Sequence, residues 1–164
     1  MQKYTSKMTS INSQKLPAST SKINWSAFYG KTVLDYGCGR FENLKIFLEN
    51  TFHIRYFGYD LYWKGDEENE LALKCTPDII ICNNVLNVIA EDDIVLKIER
   101  QIFQISQETN CDFIIQIYEG NKSGIGSPSK KGCYQRNQPT ENYLFHNSLI
   151  IKKKLITNNP KIVL

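Results

Sequence analysis

The sequence predicts an α/β protein built on a mostly parallel sheet flanked by helices. Three observations carry that expectation. Apolar runs of strand length recur at about 31–36, 54–60, 78–82 and 113–118, with helical periodicity between them. Two of these runs, Asp78-Ile79-Ile80-Ile81-Cys82 and Phe113-Ile114-Ile115-Gln116-Ile117-Tyr118, are nearly continuous rather than alternating, as in strands buried on both faces. Strands that alternate with helices need crossover connections, and crossovers make parallel pairs.

Residues 1–24 are rich in Ser, Thr, Asn and Lys and read as a basic arm ahead of a single domain over 25–164. Apolar character returns at Ile23 to Phe28, including Trp25, and Tyr29-Gly30 punctuates before the first strand. After Arg40, the spacing of Phe41, Leu44, Phe47 and Leu48 predicts an amphipathic helix over 41–50. A short helix is expected near 67–74, where a Glu-rich start leads into Leu71-Ala72-Leu73. Ile94, Val95, Ile98, Ile102 and Ile105 share one face of a helix over 92–107. A polar loop follows from Glu119 to about Pro139, and Thr140 is placed to cap a short helix through Phe145. Leu149-Ile150-Ile151 and Lys161-Ile162-Val163-Leu164, with Asn158-Asn159-Pro160 between them, predict a terminal antiparallel hairpin.

The 164 residues suffice for one hydrophobic core, and 41% hydrophobic with 23% charged residues is ordinary for a globular chain. No apolar run has the length of a membrane span and the N-terminus lacks a signal-peptide core, so a cytoplasmic, membrane-free protein is expected. Five cysteines form no CxxC pair and there are only two histidines, so reduced thiols and no metal are expected. Charge is uneven: +4 over 1–24, −8 over 25–120 and +7 over 121–164. The basic flanks either keep the surface soluble or meet an anionic partner, nucleic acid or a phosphate-bearing small molecule.

The most informative stretch is Val33-Leu34-Asp35-Tyr36-Gly37-Cys38-Gly39-Arg40, an apolar strand that ends in a carboxylate and breaks into two glycines before a helix. Such a turn lets a ligand approach the backbone and aims a helix N-terminus at it. Tyr56-Phe57-Gly58-Tyr59-Asp60 is a second strand ending in a carboxylate, 25 residues after Asp35, an offset at which an acid meets ribose hydroxyls. A dinucleotide fingerprint wants a third glycine at position 42, which is Glu.

These residues resemble motif I of the class I S-adenosylmethionine-dependent methyltransferases, hydrophobic-hydrophobic-Asp-x-Gly-x-Gly. The resemblance implies a Rossmann-like sheet, the cofactor S-adenosyl-L-methionine, and methyl transfer to an acceptor the sequence does not name. The alternatives are a methyltransferase for a metabolite or protein side chain, a non-catalytic S-adenosylmethionine-binding protein, and an enzyme other than a methyltransferase that uses a nicotinamide or adenine nucleotide. Only 18 residues separate Asp60 from Asp78. The family normally fits a third strand there, so that edge strand is expected to be missing, and Cys75 and Thr76 are the only candidates left for adenine.

By resemblance, the backbone of Tyr36, Gly37, Cys38 and Gly39 would cradle the methionine end, and Asp35 would bind its amino group directly or through water. Asp60 would take the ribose, with Leu61 beside it, and Asn83, Asn84 and the Val85 backbone would line the cofactor after the third run. The alternative for the three asparagines 83, 84 and 87 is turn and cap chemistry. Glu119 follows the fourth run and stands as a candidate general base or a solvated carboxylate. Arg40, Tyr118 and Tyr134-Gln135-Arg136-Asn137 are the candidate substrate residues, the last four as the wall of the 119–139 loop.

Overall fold

A computed structural model describes residues 15–129, 133–143 and 154–157. Five parallel strands lie in the order β2-β1-β3-β4-β5: β1 Thr32–Tyr36, β2 Arg55–Tyr59, β3 Ile79–Asn83, β4 Asp112–Gln116 and β5 Lys154–Thr157. Helix α1 (Asn43–Phe52) connects β1 to β2, α2 (Asp66–Lys74) connects β2 to β3, and α3 (Asp92–Thr109) connects β3 to β4. The fold is therefore α/β and Rossmann-like. Residues 61–78 hold α2 and no strand, so β2 is the edge of the sheet beside β1.

Side-chain alternation divides the core between the two faces of the sheet. Leu34, Tyr36, Ile80, Cys82, Phe113 and Ile115 meet α3 through Val95, Ile102 and Ile105. Val33, Ile79, Ile81 and Ile114 face the other way, onto Leu44 and Leu48 of α1 and onto Ile23 and Trp25 ahead of β1. Central β1 is buried throughout, which explains why Val33 and Leu34 are adjacent rather than alternating with polar residues. Helix α3 opens with Asp92 and Asp93, whose charges favour its positive end, and it closes on Asn110 in the left-handed region. His53 ends α1 in the same way.

Two expectations are corrected. The chain from Lys154 to Thr157, expected to lie between the strands of an antiparallel hairpin, pairs parallel to β4 from Phe113↔Lys154 to Gln116↔Thr157. The outer edge of β4 offers a full row of unpaired backbone groups, and the 116–154 connection is long enough for a crossover. The hairpin residues 149–151 and 161–164 lie outside the described residues, as does most of the basic arm, 1–14. The helix expected from Thr140 is a single 3-10 turn, Thr140–Asn142, which ends at an extended Tyr143; residues 144–145 lie outside them.

Candidate functional site

The carboxyl ends of β1 and β2 bring Asp35, the glycine turn and Asp60 together. The Gly37 and Cys38 amides donate to the Tyr59 carbonyl at 2.7 and 3.1 Å, tying the turn to the end of β2. Asp60 completes the tie: one carboxylate oxygen accepts from the Gly39 amide at 2.9 Å, and the other from the Tyr62 and Trp63 amides at 2.9 and 3.2 Å. A carboxylate offers about four acceptor positions. Three backbone donors therefore leave Asp60 with capacity for one more.

The two glycines differ. Gly37 has φ +81°, and a Cβ there would overlap the Val85 Cγ2 methyl, so this glycine admits a protein side chain rather than a ligand. Gly39 has φ +70°, and nothing lies within 4 Å of where its Cβ would be. Open space at the turn is therefore over Gly39. Leu61, next to Asp60 in the chain, is 72% exposed, and Trp63 is partly exposed with its ring 5.6 Å from the Arg40 guanidinium, which also lies over Phe41.

Asp35 is buried, and Tyr56 donates a 2.5 Å hydrogen bond to its Oδ2. Burial pushes the Asp35 carboxyl up to about 7; the Tyr56 bond works against this and the nearby charge of Asp60 adds to it. Nothing in the local sequence announces Tyr56 as the partner. It comes from the parallel register, which sets Val33 against Tyr56 and Asp35 against Gly58. Glu42 precedes α1 and is held by Lys64 at 2.5 Å and Lys45 at 3.3 Å. Glu42, carrying these two lysines, and Asp60 are thus the carboxylates at the rim of the turn, and Asp35 lies buried beneath it.

Other expected site residues have different surroundings. The Tyr36 side chain points to the α3 face, donates to Gln101 Oε1 at 2.5 Å and packs on the Tyr59 ring at 4.7 Å, leaving only its backbone at the turn. Burial raises the Cys38 thiol far above its ordinary range, so it is no nucleophile. Asn84 is in the left-handed region (φ 56°) and its amide donates to the Gln116 carbonyl, while Val85 covers Gly37.

The 119–139 loop is not a substrate wall on the described residues. Arg136 is buried, donating to the Ile89 and Ala90 carbonyls at 2.9 and 3.2 Å and pairing with Asp92 and Gln138. Gln135 joins Asn87 to the Tyr118 carbonyl, and Asn137 donates to the Ile125 carbonyl and the Ser127 hydroxyl. The Tyr134 hydroxyl lies against Gly126. These polar side chains bind the loop to itself and to the turn after β3. Tyr118 and Arg40 remain at the surface.

Glu119 is corrected as well. Its carboxylate is buried, accepts from the Thr140 amide at 2.7 Å and from the Thr140 hydroxyl, and pairs with Lys122 at 2.6 Å. Burial alone would raise its pKa, but the bonds from Lys122 and Thr140 overcome this and bring it to about 2. So acidic a group is a poor proton acceptor at neutral pH. Among the described residues no three His, Cys, Asp or Glu side chains gather as metal ligands, and no helix is long and apolar enough to cross a membrane.

No protein-family model and no curated protein matches the chain. A solved structure similar to it is the Helicobacter pylori ADP-L-glycero-D-manno-heptose-6-epimerase, at 12% identity and a TM-score of 0.46 over 80% of this chain and 53% of that one. The chain spans about half the length of that epimerase. That protein is an epimerase and not a methyltransferase, and with this finding the expectation of methyl transfer is withdrawn. At this level the likeness carries no activity over to this chain.

Proposed function

We propose that the carboxyl edge of β1 and β2 binds the adenosine part of a cofactor whose remaining portion is cationic rather than phosphorylated. The observation that carries this reading is the Asp60 carboxylate, which fixes the Gly39 turn and keeps acceptor capacity beside open space. A ribose hydroxyl donates naturally to such a group, and Leu61 and Trp63 offer partly exposed surface for a purine face.

Charge selects the rest of the ligand. Glu42 and Asp60 border the turn, and Glu42 stands at the helix N-terminus where a diphosphate would seat. A dinucleotide would meet that carboxylate; an ammonium or sulfonium would be drawn to it. S-adenosyl-L-methionine, the cofactor implied by the turn's resemblance, has that charge pattern. The acidic edge gives no support to a phosphate-bearing partner at this place.

Trp63 supplies the test, since Trp25, the other tryptophan, is buried. Titration with adenosine and with S-adenosyl-L-methionine is expected to change the fluorescence of the wild type and not that of Trp63→Phe. NAD is expected to bind at least tenfold more weakly than S-adenosyl-L-methionine. Equal or tighter binding of NAD would overturn the charge argument, and silence with all three ligands would overturn the reading altogether.

A further inference from the structure

Strands β3 and β4 both end in an amide side chain, Asn83 and Gln116, and these two are register partners. Alternation places both on the α1 face, in line with Ile81 and Ile114. The 3-10 turn Ala18–Lys22 comes over this end of the sheet: Ser19 Oγ donates to Asn83 Oδ1 at 2.6 Å. The Trp25 indole holds the turn by donating to the Thr20 carbonyl at 2.9 Å, and Trp25 and Ile23 are themselves part of the core.

Beneath that cover three polar atoms are buried with no hydrogen-bond partner: Asn83 Nδ2, Gln116 Oε1 and Thr20 Oγ1. Thr20 and Gln116 are each only 7% exposed. Buried polar atoms are nearly always paired in folded proteins, and an unpaired one is costly. These three, on Thr20 and on the register partners Asn83 and Gln116, lie at the carboxyl end of β3 and β4, the edge at which α/β sheets bind ligands.

We infer that the end of the α1 face under Ala18–Lys22 is a second binding site, for a neutral planar group that presents a hydrogen-bond acceptor beside a donor. Asn83 Nδ2 donates to the acceptor, Gln116 Oε1 takes the donor's hydrogen, and the Thr20 hydroxyl serves either. A carboxamide and a nucleobase edge share this chemistry. No Lys or Arg belongs to the trio, so a phosphate or carboxylate has no counter-charge there. The site lies on β3 and β4, apart from the Gly39–Asp60 turn, and does not depend on the reading proposed for that turn.

Side-chain amide NMR signals of Asn83 and Gln116 in the whole protein report on it, with nicotinamide as the carboxamide probe and cytidine as the nucleobase probe. At least one is expected to shift both signals saturably. Thr20→Val and Gln116→Met are expected to weaken that probe at least tenfold while leaving the melting temperature unchanged or higher, because each removes an unpaired polar atom. Asp60→Asn is expected to leave probe binding intact. A shift with nicotinamide alone identifies a carboxamide ligand, and with cytidine alone a nucleobase. The inference is overturned if neither probe moves the signals, or if the two apolar variants melt lower and bind the probe unchanged, as a cluster that holds only water would behave.

Discussion

Replacing Asp35 with asparagine tests the electrostatics of the turn through stability alone. The folded-state carboxyl titrates near 7 against an ordinary value of 3.8, because the group is buried. A folded pKa raised above the unfolded one gives a contribution that is complete below pH 3.8 and is lost as pH rises through 7. The unfolded chain ionises Asp35 freely, whereas the folded chain resists. Linkage over those two values predicts that the wild type loses about 2.5 kcal/mol between pH 5 and pH 8 from this group. Asparagine still accepts the Tyr56 hydroxyl but does not titrate, so Asp35→Asn should lack that loss. In a domain of this size the gap corresponds to about 5–10 °C in melting temperature at pH 8 relative to pH 5. Urea denaturation of both proteins at several pH values measures it. Parallel stability profiles for the two proteins would refute the assignment of a neutral, buried Asp35.

Glu119 has the opposite sign: its pKa is lowered from 4.5 to about 2, so its contribution holds above 4.5 and disappears as pH falls toward 2. Glu119→Gln is expected to cost up to about 3 kcal/mol at pH 7 and nothing near pH 2; an equal cost at both pH values in a denaturation series would contradict this. Gly37→Ala combines a strained positive φ with a Cβ driven into Val85, and should cost about 2–4 kcal/mol. Gly39→Ala meets only open space, so its cost should stay near 1–2 kcal/mol while ligand affinity falls; thermal melts that reverse this order would argue against the geometry. Arg136→Ala leaves the Ile89 and Ala90 carbonyls without their guanidinium donor and should destabilise by about 3 kcal/mol, with NMR changes extending to the turn after β3. A neutral outcome would mean that the loop does not depend on this anchor.

The strands were legible because β1, β3 and β4 are buried on both faces, and such strands have little choice but to be written as apolar runs. The turn was legible because two glycines between two carboxylates leave few other uses. What escaped the sequence was non-local. Asp35 is set by Tyr56 from the next strand, and Arg136 finds its carbonyls 46 and 47 residues away. A dense run such as Tyr134-Gln135-Arg136-Asn137 has the same letters whether it faces a ligand or anchors its own loop. Thr20 lies in a stretch that composition assigns to a solvated arm, yet Ile23 and Trp25 draw it onto the sheet. The pairing of Lys154–Thr157 was decided by the vacant edge of β4, whereas Asn158-Asn159-Pro160 locally signals a hairpin turn.

Calorimetric titration of S-adenosyl-L-methionine into the wild type and Asp60→Ala tests the central claim most directly. Saturable one-to-one binding that weakens about tenfold or more in the variant, the equivalent of about 1.4 kcal/mol, is the predicted result. Heats no larger than dilution in the wild type, or equal affinity in a variant that circular dichroism shows to be folded, would contradict the assignment of this edge as an adenosine site.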